Sequence, residues 1–208
     1  SKGELSVRGE SLETAARRVR RDFLRSCAEE RECDRIALGH TLDDQAETVL
    51  HRIIRGTGLS GLRGILPVSG AMWVRPLLEI DRDRLREYLK KKRLGWREDS
   101  SNREIISFRN RIRHLLLPFL QERFSPAVAD TLVRFAELAR SQEAVLEETT
   151  REVFRKCCIY RGLDKILLDV PAFLGYHTVL RQRIVRYCLE ALEGEGRNTD
   201  MHEIEHVL

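Results

Sequence analysis

Cysteine is scarce in this sequence, and no two cysteines have the CxxC spacing of a metal site or redox motif. The 208 residues contain an odd number of cysteines, and these are Cys27, Cys33, Cys157, Cys158 and Cys188. This pattern excludes a disulfide framework and a zinc site, and it indicates reduced thiols in a cytosolic, cytoplasmic protein. A signal peptide and long apolar runs are also lacking, which argues against a membrane role.

Charged side chains, in contrast, are abundant and unevenly distributed. They make up 34% of the sequence, and basic residues dominate between Arg75 and Arg123. A local excess of positive charge suits a polyanionic partner, although a solvated helix face would have the same composition. Both interpretations stay open at this level.

The segment Arg35–Gly64 carries the densest set of signals. Its apolar run Ile36–Leu38 predicts a strand buried on both faces, as in a parallel sheet, and His40 follows the carboxyl end of that strand. Thr41 or Asp43 can cap the next helix. The buried face of that helix is predicted from helical spacing to consist of Ala46, Val49, Leu50, Ile53 and Ile54.

Further elements extend this to an α/β fold with a parallel sheet and flanking helices. Helices are predicted from Ser11 to Glu30, from Asp81 to Lys92 and from Phe108 onwards. Pro118 is expected to bend or end the last of these helices. A second strand is predicted at Met72–Arg75. The inner face of the Phe108 helix is predicted as Phe108, Ile112, Leu115, Leu116, Phe119 and Leu120.

A domain boundary is predicted near residues 122–126, which gives a first domain of residues 1–124 and a mainly helical second domain of residues 125–208. In the second domain, Ser125-Pro126 starts a long helix towards Lys156. A strand at 165–170, a helix at 178–192 and a last helix from Thr199 follow.

A glycine loop follows the Asp43 helix and matches G-x-G-x-x-G between Gly56 and Gly61. A dinucleotide-binding fingerprint requires a strand before the glycines and a helix after them, whereas here a helix precedes and no clear helix follows. We therefore reject the dinucleotide interpretation. The loop is either a helix-ending turn or a segment whose backbone approaches a ligand closely.

Four polar residues form the candidate chemical site. His40, Asp43, Asp44 and Glu47 provide a basic group and carboxylates of the kind that hold Mg²⁺ beside substrate phosphates. The alternative is that the aspartates only cap the helix and complement its dipole. No cysteine has a histidine near it in sequence that would make a thiol nucleophile.

Several motifs together resemble the bacterial tRNA(Ile)-lysidine synthetases, which are N-type ATP pyrophosphatases of the PP-loop class. The strongest is GHTLDDQAETVLHRIIRGTGLSGLRGI. Around it, in order, lie SLETAARRVRRDFL, RPLLEIDRDRLREYL, GWREDSSN and SFRNRIRHLLLPFL, so that the resemblance covers residues 11 to about 121. It implies an adenine-nucleotide alpha-hydrolase-like fold, present here in part.

The resemblance also implies a reaction, a ligase that uses ATP and Mg²⁺. ATP would adenylate C2 of the wobble cytidine in a tRNA(Ile) with a CAU anticodon, and pyrophosphate would leave. The amine of free L-lysine would then displace AMP, which gives lysidine. A homodimer is compatible with this family, and a membrane partner is not expected.

Residue roles follow from the resemblance by position. It places His40, Asp43 and Asp44 among the catalytic groups, with Asp44 as the metal ligand. ATP contacts are implied for Arg17, His40, Arg55, Gly56 and Gly58. Contacts to tRNA are implied for Arg109, Arg111 and Arg113.

The family's SGGxDS phosphate loop does not occur in this sequence. We therefore expect the 208-residue chain alone to bind ATP poorly and not to turn over. Two alternatives remain: a tRNA-binding fragment that lacks complete catalysis, and a related tRNA thiolase. The thiolase is disfavoured because Cys157-Cys158 lacks the spacing of the paired cysteines that such enzymes commonly need.

Overall fold

The computed structural model describes residues 12–97 and 107–193. Helices occupy α1 Leu12–Glu30, α2 Leu42–Arg55, α3 Leu59–Leu62, α4 Arg82–Lys91, α5 Phe108–Arg111, α6 Leu117–Arg123, α7 Val128–Cys157, α8 Val170–Leu174 and α9 Thr178–Glu193. Strands occupy β1 Ile36–Ala37, β2 Val68–Ser69, β3 Trp73–Val74, β4 Cys158–Arg161 and β5 Ile166–Leu168. Within these ranges no helix is both long and apolar enough to cross a membrane.

Three predictions fall outside the described residues. These are the helix cap at Ser11, the part of GWREDSSN beyond residue 97, and the last helix from Thr199. The other predicted helices and the strands at β1, β3 and β5 are present, and their ends differ from the predicted ends by a few residues. Strands β2 and β4 and the short helices α3 and α8 were not predicted.

The first sheet is mixed, whereas the sequence predicted a parallel one. Its strand order is β1-β3-β2, with β1 parallel and β2 antiparallel to β3. The reason is the short connection between β2 and β3, which turns at Gly70 with φ 57°; only antiparallel neighbours can be joined so tightly. The burial prediction for β1 was also wrong, because Ala37 is exposed and Ile36 is half-buried at the edge of the described sheet.

Helix α2 begins at a cap that the sequence identified. Thr41 precedes the helix in an extended conformation, and its N–H and hydroxyl donate to the Asp44 carboxylate at 2.9 and 3.0 Å. Ala46 and Val49 are fully buried, as predicted. Ile53 and Ile54, also predicted to be buried, are 44% and 47% exposed, so that the last turn of α2 projects from the core.

The segment from Phe108 to Arg123 stays helical but changes its register. Residues Ile112–Leu116 form a π-helical turn, which Leu117 closes by donating its N–H to the Ile112 carbonyl. The wider turn accommodates Pro118, which lacks an N–H and sits in the first turn of α6. The predicted inner face is therefore wrong in part: Leu117 is buried, whereas Leu115 and Phe119 are about half exposed.

The chain divides into two compact units, Ser1–Ala139 and Arg140–Leu208. The division lies inside α7, whereas the predicted domain boundary lies just before that helix. A core cluster in the first unit joins α2, α6 and α7 through Ala46, Leu117 and Val133. The predicted domain assignment, and tRNA binding by the second domain, stay predictions.

The second unit combines the later part of α7 with the β4–β5 hairpin, α8 and α9. Its core consists of Val153, Phe154, Cys157 and Ile184. A buried ion pair links α9 to α7: Arg183 donates to both oxygens of Glu143 at 3.0 and 3.1 Å. Arg183 also donates to the hydroxyl of Thr150 at 3.1 Å.

We expect Glu143→Leu to lower the free energy of unfolding by about 3 kcal/mol, because it leaves the Arg183 guanidinium largely desolvated without its counter-charge. The double variant Glu143→Leu/Arg183→Met is the matched control and is expected to unfold close to the wild type. Urea unfolding followed by circular dichroism measures both. Equal losses in the single and double variants would contradict the role of the uncompensated charge.

Candidate functional site

The parallel pairing of β1 with β3 brings the residues that follow these strands to one edge of the sheet. His40 follows β1 and Arg75 follows β3, in register with Ala37↔Val74. Arg75 is held in place because it donates to the Leu66 carbonyl at 2.6 Å and to the Ser69 hydroxyl at 3.1 Å. This is the edge at which open α/β sheets bind their ligands.

A cavity of about 890 Å³ opens at this edge, with α2 along one wall and the loop after α2 along another. His40, His51 and Glu47 contribute to its lining. The arginines that line it are Arg17, Arg52, Arg55, Arg63, Arg75 and Arg109. Cations therefore greatly outnumber anions on the described walls.

The arginines of the cavity are close enough to lower one another's pKa values. Burial lowers the pKa of Arg75, and the guanidinium groups of Arg17 and Arg21 lower it further. Burial, Arg63 and Arg17 lower the pKa of Arg52 in the same way. Like charges held together raise the free energy of the empty cavity, and a bound polyanion would relieve this repulsion.

His40 is a neutral base within this cationic wall. Burial lowers the pKa of its imidazole, the cations Arg75, Arg109 and Arg17 lower it further, and Asp44 partly opposes them. Its Nδ1 atom is buried and has no hydrogen-bond partner among the described residues. An uncharged imidazole with an unengaged nitrogen can take part in proton transfer near pH 7.

Two carboxylates of α2 and three arginines from outside it form a compact acid–arginine cluster: Asp44, Glu47, Arg82, Arg109 and Arg113. Glu47 is only 1% exposed, and Arg113 donates to its two oxygens at 2.6 and 2.9 Å. Arg109 and Arg82 donate to it at 3.3 and 3.2 Å. Burial alone would lower the pKa of Arg113, but Glu47 and then the aspartates raise it.

Both carboxylate oxygens of Asp44 accept hydrogen bonds, from the same arginines and from the helix cap. Its Oδ1 accepts from Arg82 at 2.8 Å and from Arg113 at 3.0 Å, and its Oδ2 accepts both hydrogen bonds from Thr41. Burial would raise the pKa of Asp44, but Arg82, Thr41 and Arg109 together hold it below its ordinary value.

This environment does not fit the Mg²⁺ site predicted at Asp44. A hard cation needs carboxylate oxygens that are open to it, and those of Asp44 are engaged by guanidinium groups of the same sign of charge as the ion.

The remaining predicted site residues separate into three groups. Asp43 does not line the cavity; its carboxylate accepts the Arg82 N–H at 2.9 Å and ties α2 to α4. Arg109 and Arg113, predicted to contact tRNA, bind carboxylates of the cluster, while Arg111 is exposed. Gly56 and Gly58 lie in the loop but outside the cavity lining, to which Gly61 and Gly64 contribute instead.

The loop between Gly56 and Ile65 is held by two side chains of α2. Arg52 donates to the carbonyls of Gly61 and Gly64 at 2.6 and 3.0 Å. Gln45, fully buried, accepts the Ile65 N–H at 2.6 Å. Gly64 has φ +62°, and a Cβ there would lie 2.5 Å from the Gln45 Oε1 atom. The loop is therefore both a helix-ending turn and a wall of the cavity.

We expect Gly64→Ala to lower the free energy of unfolding by about 2 kcal/mol or more, because it adds a steric clash with Gln45 to the strain of a left-handed backbone. Gly70→Ala is the matched control: its φ is +57°, but no atom lies within 4 Å of the added Cβ. A loss of about 1 kcal/mol is expected there, and chemical unfolding measures both. Equal losses would show that contact with Gln45 contributes nothing.

Sequence reasoning missed the arginine partners of the carboxylates and most of the cationic lining. Spacings of three and four residues nevertheless predict one shared face of α2 for Asp44, Glu47, His51 and Arg55. That face meets the cavity and the cluster. Arg75 could have been found from its place at the carboxyl end of a predicted strand. Nothing local indicated that Arg82 and Arg113 would reach Asp44.

Comparison with known proteins identifies the family of this chain. Residues 2–120 match the family model described as the PP-loop domain. The tRNA(Ile)-lysidine synthase of Solibacter usitatus is 37% identical over 205 residues, which is 99% of this chain and 46% of that protein. The enzyme of the same name from Caldanaerobacter subterraneus is 38% identical over 200 residues, which is 96% of this chain and 42% of that protein.

The resemblance seen in the motifs is thus confirmed, and the chain spans less than half the length of these relatives. Among solved structures, the U34-tRNA thiolase NcsA from Methanococcus maripaludis with its [4Fe-4S] cluster is 25% identical, with a TM-score of 0.45. The match covers 59% of this chain and 42% of that chain. At that score the likeness carries no argument about function. The family match rests on more than half of the sequence, including the helix, loop and strand ends that build the cavity, and the chain belongs to the PP-loop domain family.

Proposed function

We propose that the protein containing this chain ligates lysine to C2 of the wobble cytidine in tRNA(Ile) with a CAU anticodon, at the expense of ATP. The observation that carries the proposal is the cavity in which a neutral histidine and clustered arginines adjoin a pair of carboxylates. The names of the relatives support the reaction.

The first step transfers an adenylyl group. The C2 oxygen of the cytosine attacks the α-phosphorus of ATP, the bond to the β-phosphate bridging oxygen breaks, and pyrophosphate leaves. Negative charge develops on the phosphate oxygens, and the arginines of the cavity, among them Arg17 and Arg75, would stabilise it. Arg55 and the backbone of the glycine loop where it lines the cavity would complete the nucleotide contacts. No step in this proposal depends on a metal at Asp44.

In the second step the lysine amine attacks C2, and the bond from C2 to the adenylate oxygen breaks, so that AMP departs. The zwitterionic lysine carries ammonium and carboxylate groups, and the acid–arginine cluster offers charges of both signs. His40, which lines the cavity beside the cluster, would accept the proton that the attacking nitrogen loses.

The tRNA contacts are proposed for Arg111, which is exposed, and for the cation-rich rim that includes Arg109. Phosphate contacts of this kind position an RNA without reading its sequence. A cytoplasmic location and a homodimer complete the proposal.

The test is incorporation of labelled lysine into a tRNA(Ile) transcript by the full-length protein, with ATP present or omitted. Incorporation that requires ATP and is lost when the wobble cytidine is replaced by uridine is the expected result. Salt-sensitive tRNA binding without a lysine adduct would overturn the ligase proposal in favour of an RNA-binding role. The same assay on the 208-residue chain checks the expectation that it does not turn over.

A further inference from the structure

One end of the cavity differs chemically from the rest, because it is built around an aromatic ring. Phe108, at the start of α5, is half-buried and lines the cavity. The His51 imidazole and the Phe108 ring meet in a T-shaped arrangement, with ring centroids 5.2 Å apart and an interplanar angle of 63°. The Arg55 guanidinium carbon lies 5.7 Å from the Phe108 ring centroid. We call Phe108, His51 and Arg55 the aromatic wall.

The aromatic wall has the composition of a site that stacks a nucleobase. Unpaired RNA bases stack on aromatic rings and on arginine guanidinium planes, and here the two surfaces adjoin. The walls around it are cationic, so that the phosphates attached to a stacked base would also find partners. Phosphate binding does not require an aromatic ring such as that of Phe108.

Either the adenine of ATP or the wobble cytosine of the tRNA could stack on the aromatic wall. The position of the wall relative to the acid–arginine cluster favours the cytosine. Glu47, His51 and Arg55 recur every four residues along one face of α2, so that His51 lies one turn, about 6 Å, beyond Glu47. Phe108 precedes Arg109, which itself bonds to Glu47. The base that receives the amine must lie beside the cluster that is proposed to hold lysine, and the aromatic wall adjoins that cluster through Arg109.

We propose that Phe108, with Arg55 and His51, stacks the target pyrimidine of the RNA substrate and positions it for attack by the amine. This rests on the function proposed above, which placed Arg55 at ATP. The competing occupant of the wall is therefore the adenine of ATP, whose stacking there would overturn the proposal.

The test uses the full-length protein and compares Phe108→Leu with Phe108→Tyr. The first variant removes the ring but keeps an apolar side chain of similar size, and the second keeps the ring. We expect Phe108→Leu to raise the KM for tRNA about tenfold or more while the KM values for ATP and lysine stay within twofold. Phe108→Tyr is expected to stay within twofold of the wild type for all three substrates.

A binding measurement separates this inference from the ligase proposal. An anticodon stem-loop RNA with a fluorescent cytidine analogue at the wobble position is expected to be quenched by the wild type and by Phe108→Tyr, but not by Phe108→Leu. Arg55→Gln, at an exposed position, tests the wall without disturbing the core and is expected to weaken binding of this RNA several-fold.

The outcomes are distinct. If Phe108→Leu raised the KM for ATP and left the KM for tRNA unchanged, the wall would be assigned to adenine. If tRNA binding were unchanged in both Phe108→Leu and Arg55→Gln, the wall would stack no base. Either result overturns the inference. Quenching that depends on Phe108 would support base stacking even if the wild type formed no lysidine, in which case only the ligase proposal would fall.

Discussion

Replacing His40 by alanine in the full-length protein is expected to lower lysine incorporation by at least about a hundredfold without unfolding the protein. His40 is the neutral imidazole of the cavity, and loss of a positioned proton acceptor typically costs two to four orders of magnitude in rate. The His40 side chain is only half-buried and its Nδ1 has no partner within the described residues, so its removal breaks no bond seen there. Single-turnover incorporation of labelled lysine measures the effect.

The pH dependence provides a second readout for the same residue. Because burial and the surrounding arginines lower the pKa of His40, its neutral form persists below pH 6.5. The ratio of the wild-type rate to the His40→Ala rate is therefore expected to stay level as the pH falls to about 6.5 and to drop only at lower pH, because the protonation of the lysine amine affects both proteins equally. His114→Ala is the matched control, since His114 is exposed and lies outside the cavity lining. Wild-type activity in His40→Ala would refute the assignment.

Glu47→Gln is expected to cost about 3–5 kcal/mol of stability and to abolish lysine incorporation. Glu47 is nearly inaccessible to water and accepts hydrogen bonds from Arg82, Arg109 and Arg113. The amide has the shape of the carboxylate but no charge, and its NH₂ group faces guanidinium groups that are also donors. Removing one partner of a buried charge network leaves the others uncompensated, which is the costly case.

Urea unfolding and lysine incorporation measure the two effects. Glu79→Gln, at an exposed position beyond β3, removes the same charge from the surface and is expected to change stability by less than about 0.5 kcal/mol. If Glu47→Gln were as stable as Glu79→Gln, the cluster could not be what holds Arg109 against the cavity. A stable but inactive Glu47→Gln would restrict the role of Glu47 to substrate handling.

The local elements could be predicted because their signals are local. The caps at Thr41 and Asp81, the apolar spacing in α2 and the turn at Gly56 all act within a few residues, and the structure contains each of them. The motifs that revealed the family are also contiguous. Helical spacing predicted the wrong buried residues where the number of residues per turn changed. The π-helical turn before Pro118 places Leu117 in the core in place of Leu115.

The sequence by itself determined that α2 presents a histidine and carboxylates beside a glycine loop, and that the chain resembles a tRNA-modifying ligase. Only the tertiary structure decided what surrounds those carboxylates. Arg82 lies 38 residues from Asp44 and Arg113 lies 66 residues from Glu47. Contacts of the first residue of α4 and of the π-helical turn with α2 bring them together. Arg109 and Arg113, which the sequence predicted as RNA contacts, are therefore also counter-ions, because desolvated carboxylates are stable only beside opposite charge.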